Sequence, residues 1–117
     1  MQKYISQKGV YMCDFYGAKG CEEKGFRPAI IVQNNVGNTF SPTTWVVPIT
    51  SQNKKDILTH HTIKQDKYDF LTYESCIILC EQLTVRDICR LGRYIGKIDD
   101  GDFNIVIEKI KNNLKVY

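Results

Sequence analysis

The sequence lacks the features that mark membrane-spanning, secreted or disulfide-stabilised proteins. Its apolar runs are only a few residues long, far short of a membrane span, and its first residues have neither an apolar core nor a cleavage site for export. The chain has five cysteines, an odd number that cannot all pair within one chain, and none of them forms a C-x-x-C motif. We therefore expect a cytoplasmic protein with no membrane association. Its cysteines are expected to be buried or incidental thiols, with Cys76, Cys80 and Cys89 filling the core.

Motifs of the common metal and nucleotide enzymes are also missing. There is no H-E-x-x-H helix, no cysteine knuckle and no G-x-x-x-x-G-K-[ST] phosphate loop. The two histidines, His60 and His61, are adjacent on a predicted strand, so their side chains are expected on opposite faces of the sheet and in different sites. No cysteine is obviously placed to form a nucleophilic pair with either of them. We expect neither a metal nor a cofactor.

Composition is that of one ordinary globular domain, which we place at residues 1–117. Hydrophobic residues make up 43% and charged residues 25% of the 117 residues, which excludes a disordered or fibrous chain. The net charge of +3 permits binding to a polyanion but does not require it, since local patches matter more than the total.

Short segments rich in β-forming residues, separated by turn residues, run through most of the chain. They predict strands over Gly9 to Phe15, Pro28 to Gln33, Thr43 to Thr50, Leu58 to Lys64, Cys76 to Leu83 and Gly92 to Ile98. Asn34 to Asn38 is expected to be a turn, and Pro48 predicts an edge strand or a bulge. The spacing of Thr84 and Asp87 predicts one helical turn ending at Arg90.

The end of the chain is the clearest helix. Asp99 is a candidate N-cap, and a stripe of apolar residues at helical spacing is expected to pack on the sheet or on a partner subunit. The stripe consists of Phe103, Val106, Ile107, Ile110 and Leu114. The fold class is therefore α+β, mostly β: a small, curved, mostly antiparallel sheet or open barrel with a C-terminal helix.

One loop combines several residues suited to binding a phosphate. Gly20 to Pro28 contains a carboxylate pair, two glycines and Arg27, and it leads directly into an apolar strand. Arg27 precedes a proline, so its backbone is restricted to extended geometry, and its guanidinium suits phosphate oxygens better than a lysine does. The alternative interpretation of these residues alone is an ordinary surface arginine in a loop-to-strand turn.

The remaining polar groups fit metal-free cleavage of RNA. A threonine at a strand end, Thr50, a loop glutamate and one histidine accompany Arg27. In such cleavage the ribose 2′-hydroxyl attacks the neighbouring phosphate, so the enzyme supplies charge neutralisation and proton transfer rather than a nucleophile. Sequence spacing does not establish that these side chains converge.

Several segments resemble, in order and spacing, the MazF/PemK family of toxin endoribonucleases. They read G-C-E-E-K-G-F-R-P-A-I-I-V-Q-N-N, F-S-P-T, P-I-T-S-Q, L-T-H, E-Q-L-T-V-R-D and R-L-G-R-Y-I-G-K-I, and together cover roughly residues 9 to 114. The resemblance implies an SH3-like barrel, a homodimer and a cognate antitoxin whose C-terminal segment covers the RNA site. It also implies sequence-specific cleavage of single-stranded RNA, with messenger RNA expected, to 2′,3′-cyclic phosphate and 5′-hydroxyl ends.

The resemblance also assigns residues. Arg27 and Thr50 match the two catalytic positions of the family, and Glu22 matches its loop acid, which we expect to orient Arg27, with acceptance of the 2′-hydroxyl proton as the alternative. His60 matches a position on the RNA face. The other candidates for RNA contact are Ser51, Gln52 and Arg86, and each of these four candidates has an ordinary structural alternative.

The chain departs from the family pattern at one place, and a second function class also stays open. Where the family opens its first strand with R-G-D, this chain has Gln7-Lys8-Gly9, which puts contacts from that strand in doubt. The alternative to a ribonuclease is a non-catalytic binding module on the same barrel, either an inactive toxin homologue or a gyrase-targeting toxin. Retention of Arg27 and Thr50 favours the ribonuclease, because a protein-binding barrel has no need of that pair.

Overall fold

A computed structural model describes residues 4–17, 20, 25–51 and 57–117. The described strands are β1 (Gly9–Asp14), β2 (Phe26–Ile31), β3 (Thr43–Thr50), β4 (His60–Lys64), β5 (Ser75–Leu79), β6 (Thr84–Asp87) and β7 (Leu91–Lys97). The helices are α1 (Asn35–Phe40) and α2 (Asp100–Asn113), with short 3-10 turns at Cys80–Gln82 and Ile88–Arg90. No helix among these residues has the length and apolar character needed to cross a bilayer.

The strands form one antiparallel sheet in the order β4-β5-β3-β2-β1-β7, with β6 also pairing with β3. The prediction of a mostly antiparallel sheet with a C-terminal helix is confirmed. β3 is central, so the prediction that Pro48 marks an edge strand was wrong. One side of β3 pairs with β6 up to Val46 and with β5 from Ile49, and Pro48 lies in the gap between these two partners.

Strand alternation explains why a proline is tolerated there. Val32 N donates to Trp45 O at 2.8 Å, so the main-chain groups of Trp45 face β2. The main-chain groups of Pro48, three residues later, face the opposite edge of β3, in the gap where its partner strand changes from β6 to β5. A missing N–H therefore costs no ladder hydrogen bond.

Each face of the sheet has its own apolar cluster. The larger cluster includes Val10, Ile30, Val47 and Ile49 and is completed by α2. A smaller cluster on the opposite face is formed by Tyr11, Cys13, Phe15, Ala29, Ile31, Val46, Ile88 and Leu91, together with Ile5. Because both faces are covered, β1, β2 and β3 read in the sequence as continuous apolar runs rather than as alternating ones.

Two local predictions were wrong because tertiary contacts decide the conformation. The expected turn after β2 is the short helix α1, capped by Asn34 and anchored by buried Asn38, whose Oδ1 accepts from Thr44 Oγ1 at 2.7 Å. The expected helical turn over Thr84 to Arg90 is strand β6 followed by a 3-10 turn. Its cap is Asp87, which accepts from Cys89 N at 2.9 Å, so Thr84 does not open a helix.

Helix α2 begins as predicted, since the Asp99 side chain accepts from Asp102 N at 2.8 Å. Phe103 and Val106 are buried, and Ile107 and Ile110 pack against the same core cluster. Leu114 is exposed and lies beyond the helix end. The apolar stripe therefore packs on the protein's own sheet.

Gly96, in β7, lies directly against the ring of Phe70. A Cβ atom added there would overlap the ring of Phe70, which packs on the core. We expect Gly96→Ala to lower the free energy of unfolding by about 1–3 kcal/mol, because the ring or the strand must shift. Gly101→Ala is the matched control, since its added Cβ meets only Asp99 Oδ1 at 3.6 Å and alanine favours the helix. Urea denaturation of both variants tests this, and equal stabilities would contradict it.

Candidate functional site

The candidate site starts where β2 begins and β3 ends. These strands pair Ala29 with Pro48, Ile30 with Val47 and Ile31 with Val46. Two residues beyond the last recorded pair, the same register would place Arg27 across from Thr50, and both residues line one cavity at the strand ends. The sheet thus brings the two residues together although 22 residues separate them in the sequence.

Alternation along the strands identifies the face on which they lie. Arg27 is two residues before Ala29 and pairs across β1 with Cys13, while Thr50 follows Pro48 by two residues. Ala29 and Cys13 belong to the smaller apolar cluster. Arg27 and Thr50 therefore point to the face of that cluster, here called the site face. Arg27 is half-buried and Thr50 is 1% exposed.

Beside these residues the site face contains a depression of about 340 Å³. Pro48 forms part of its wall and connects it to Thr50 along β3. The other lining residues are Phe15, Glu81, Gln82, Leu83, Thr84 and Arg86. The site face therefore continues from a strand-end arginine and hydroxyl into a polar hollow that contains a second arginine.

Arg86 is held rigidly in this depression. Its guanidinium lies over the ring of Phe15, 5.2 Å from the ring centre, and Nη1 donates to Thr84 Oγ1 and to Val85 O, both at 2.9 Å. Its buried Nε has no hydrogen-bond partner among the described residues. An arginine fixed by packing and with unused donor capacity suits binding of an anion.

His60 does not line this depression; its side chain is 6% exposed and contacts Glu81, which does line it. Its Nε2 is 3.1 Å from Glu81 Oε2, and Thr59 Oγ1 donates to Glu81 Oε1 at 3.2 Å. His60 thus fixes the Glu81 carboxylate, which is partly exposed at 27%. His60 Nδ1 is a further buried group with no hydrogen-bond partner among the described residues.

The neighbouring histidine belongs to a different part of the molecule. His61 Nε2 lies 2.8 Å from Asp102 Oδ1, at the start of α2. The expectation that adjacent histidines serve different sites is confirmed, because the two rings contact acids on different elements.

Of the three remaining predicted residues, the structure describes Ser51 alone. Ser51 is exposed and, with Arg27 and Thr50, borders a second cavity of about 170 Å³. Glu22 and Gln52 lie outside the described residues. Their predicted roles stay predictions.

Sequence reasoning missed Glu81 and Phe15 as parts of the site. Both look unremarkable in the chain, since Glu81 follows an apolar strand and Phe15 ends one. The E-Q-L-T segment was the available signal for Glu81. No signal in the sequence pairs Phe15 with Arg86, because that contact depends on the successive registers of β1 with β2, β2 with β3 and β3 with β6.

Thiol chemistry has little support at this site. Burial raises the pKa of Cys13 to about 11 and that of Cys80 to about 12, so both thiols are protonated at neutral pH. Cys13, Cys76, Cys80 and Cys89 are free, as expected. Cys89, however, is exposed rather than core-filling. Within the described part of the chain, no group of three or more His, Cys, Asp or Glu residues is arranged to hold a metal ion.

Comparison with known proteins identifies the family. Residues 6–114 match the PemK-like, MazF-like toxins of type II toxin–antitoxin systems. The chain belongs to this family. It is 36% identical over 111 residues to Endoribonuclease EndoA of Bacillus subtilis, with 94% of each chain covered. It is 38% identical over 92 residues to Endoribonuclease MazF of Staphylococcus saprophyticus, covering 78% of this chain and 75% of that protein.

Solved structures of MazF toxins share the fold. The crystal structure of MazF (Form-I) from Deinococcus radiodurans superposes with a TM-score of 0.81 at 18% identity, covering 96% of this chain and 97% of that one. A mycobacterial endoribonuclease in complex with its cognate antitoxin superposes with a TM-score of 0.75 at 22% identity, covering 94% of each chain. At these identities the likeness shows the MazF fold alone.

Proposed function

We propose that this MazF-family protein is a sequence-specific endoribonuclease toxin that cleaves single-stranded RNA, with messenger RNA as its target. The observation that carries the proposal is that Arg27 and Thr50 line one cavity at the neighbouring ends of β2 and β3. The endoribonuclease names of its relatives from B. subtilis and S. saprophyticus support it.

The chemistry needs no metal and no protein nucleophile. The ribose 2′-oxygen bonds to the adjacent phosphorus and gives its proton to water, while the bond from phosphorus to the 5′-oxygen breaks and that oxygen takes a proton from water. The products are a 2′,3′-cyclic phosphate and a 5′-hydroxyl. Negative charge grows on the phosphate oxygens in the transition state, and preorganised donors there accelerate the reaction.

Arg27 and Thr50 supply those donors. Arg27 binds the scissile phosphate through two N–H groups, and Thr50 donates its hydroxyl to a phosphate oxygen. An arginine almost never loses its proton, so Arg27 acts as an electrostatic clamp rather than as a base. Because Thr50 is only 1% exposed, neighbouring atoms must move for RNA to reach its hydroxyl. Glu22, five residues before Arg27, orients the guanidinium.

The depression on the site face binds RNA beyond the cut. Arg86 provides a fixed positive charge for a phosphate or a base edge, and Ser51 and Gln52 add hydrogen-bonding groups next to Thr50. His60 contributes through Glu81, whose orientation it sets. This assigns His60 to positioning rather than to direct RNA contact.

Two protein partners complete the proposal. The first is a cognate antitoxin whose C-terminal segment covers the RNA site, in keeping with the antitoxin complex reported for the mycobacterial relative. The second is another copy of the same chain, since the structure leaves apolar side chains uncovered. Trp45 and Val85 are direct cross-strand partners and are 48% and 51% exposed. Exposed apolar clusters of this kind mark protein interfaces.

The homodimer is tested by sedimentation at micromolar concentration. We expect the wild type to be a dimer and Trp45→Glu to be a folded monomer, because a carboxylate cannot be buried unpaired at an apolar interface. Lys115→Glu, at the far end of the chain, is the control and should stay dimeric. A monomeric wild type would contradict the proposed homodimer. A dimeric Trp45→Glu variant would mean that the interface lies elsewhere.

The activity is tested with a long single-stranded RNA in excess chelator. We expect cuts at one short sequence, and mapping of the ends should find cyclic phosphate and 5′-hydroxyl groups. Addition of the antitoxin should stop the cutting. Intact RNA over a varied set of sequences would overturn the ribonuclease, and inhibition of gyrase by the same preparation would then identify the protein as a protein-targeting toxin.

A further inference from the structure

A second cavity lies beside the proposed catalytic residues, on the opposite face of the sheet. This strand-end pocket measures about 170 Å³ and has Arg27, Thr50 and Ser51 at its rim. Met12, Pro28 and Ile49 form its floor, and alternation places all three on the face opposite to Arg27. RNA held at Arg27 and Thr50 is therefore next to two hollows, one on each side of the strand ends.

The pocket has an arginine of its own, Arg93 on β7. The pairing of β7 with β1 shifts between Tyr11, opposite Tyr94, and Cys13, opposite Leu91. Two residues of β7, Gly92 and Arg93, therefore face the single residue Met12 of β1. This arrangement is a β-bulge in β7. A bulge redirects a side chain, and here Arg93 lines the pocket, as does Ile95 two residues later.

Charge in the pocket has one sign. Arg27 and Arg93 both line it, and no aspartate or glutamate does so among the described residues. Arg93 is exposed and forms no ion pair with any residue that the structure describes. One strand, β1, separates the strands of the two arginines, so their backbones are about 10 Å apart. This arrangement suits two anionic groups of one ligand.

The pocket also presents two aromatic rings at its mouth. Phe26 is 49% exposed and Tyr73 is 58% exposed, and both line the cavity. Phe26 lies against the backbone of Gly92, where any Cβ would come within 2.9 Å of its Cζ atom. Tyr73 belongs to a connector held by the buried side chain of Leu71 and by Gln65, whose Nε2 donates to Leu71 O at 2.7 Å. Exposed rings on a firm support beside an arginine are the means by which proteins bind unstacked bases.

We propose that the strand-end pocket binds the nucleotide next to the scissile phosphate, with its base on Phe26 and Tyr73 and its phosphate on Arg93. This inference rests on the proposed ribonuclease function, since it assigns a place to the flanking part of the same substrate. It adds a specificity-determining site to the phosphate-binding pair Arg27 and Thr50.

Binding can be measured separately from cleavage with an RNA that contains the recognised sequence and a 2′-deoxynucleotide at the cut. We expect Arg93→Gln to weaken its binding about tenfold and to reduce the slope of log affinity against log salt by about one. Lys111→Gln, on the outward side of α2, removes the same charge and should change neither quantity by much. Arg93→Lys should restore the salt slope but not the full affinity.

Base binding is tested with RNAs that carry one abasic residue on either side of the cut. For the wild type, one of the two positions should weaken binding about tenfold or more when abasic, as expected for loss of base–aromatic stacking. In Tyr73→Leu and Phe26→Leu that difference should largely disappear. Melting curves establish that each variant is folded.

The outcomes separate the two proposals. If the wild type neither cuts nor binds RNA, the proposed ribonuclease function and this inference are both wrong. A wild type that cuts, with Arg93→Gln unchanged in affinity and salt slope, overturns the inference and leaves the ribonuclease intact. An abasic effect that persists in Tyr73→Leu and Phe26→Leu also overturns it, because the base then lies elsewhere.

Discussion

Replacement of Arg27 by alanine is expected to lower kcat/KM for RNA cleavage at least a thousandfold. Removal of one preorganised donor from an oxyanion typically costs about a hundredfold to a thousandfold in rate, and Arg27 supplies two donors and a full charge. Arg27→Lys keeps the charge but not the two-pronged geometry, so we expect it to recover only a small part of the activity. Thr50→Val removes one neutral donor with little change in volume and should cost about tenfold to a hundredfold.

Single-turnover cleavage of a short RNA gives these values directly. Arg90→Ala is the control for loss of an arginine, because Arg90 is exposed and contacts only Tyr16 O, at 3.5 Å, among the described residues. It should cleave at close to the wild-type rate. If Arg27→Ala keeps more than about a tenth of the activity while Arg90→Ala keeps all of it, the role of Arg27 as phosphate clamp is wrong.

Much of the fold could be predicted because local pattern and tertiary structure agree. The strands at β1, β2, β3 and β7 and the helix α2 are long apolar or amphipathic segments with turn or cap residues at their ends. The predictions failed at short elements. Six residues rich in asparagine form α1 because Asn38 bonds to Thr44 and to Gln33 O, contacts that no local pattern encodes.

The sequence proposes residues for the candidate site but does not give their arrangement. Arg27 and Thr50 stand out as residues at strand ends, and their match to the two catalytic positions of the family suggests what each one does. Their convergence depends on the register of β2 with β3, which the sequence does not state. Placement of Arg93 depends on a bulge in β7, whose only trace in the sequence is Gly92. Pairing of Glu81 with His60 joins residues 21 positions apart and was not foreseen.

Asp102 is expected to be the polar residue whose loss most destabilises the fold. It is 9% exposed, and its carboxylate contacts His61 Nε2 at 2.8 Å, Lys67 Nζ at 2.9 Å and the hydroxyl of Tyr68. Tyr68 OH in turn accepts from Asp99 N at 3.0 Å, so the carboxylate joins β4, the following connector and the start of α2. Asp102→Ala removes the acceptor from the buried hydroxyl of Tyr68 and from the partly buried ring of His61, and we expect a loss of about 3 kcal/mol.

The pKa of Asp102 predicts how that contribution changes with pH. Burial raises this pKa, but the hydrogen bonds from Tyr68, His61 and Lys67 outweigh burial and lower it from 3.8 to about 2. A carboxylate whose pKa is lower in the folded state stabilises the fold above its unfolded pKa, and this stabilisation is lost as pH falls through the folded pKa. The contribution should be full above about pH 5 and should disappear between about pH 4 and pH 2. The shift corresponds to about 2 kcal/mol, since each pKa unit is worth about 1.4 kcal/mol and Lys67 is partly screened by solvent.

Urea denaturation of wild type and Asp102→Asn from pH 7 to pH 2.5, at one protein concentration, isolates this effect. Asparagine keeps the shape but not the charge, so the difference in unfolding free energy should be about 2 kcal/mol at pH 7 and should approach a small constant at pH 2.5. Asp100→Asn is the matched control in the same helical turn. Its carboxylate is 84% exposed and pairs only with Lys8 among the described residues, at 2.8 Å, so its loss should change the free energy of unfolding little at either pH. A difference between wild type and Asp102→Asn that is the same at pH 2.5 as at pH 7 would mean that the charge of Asp102 does not hold β4 to α2.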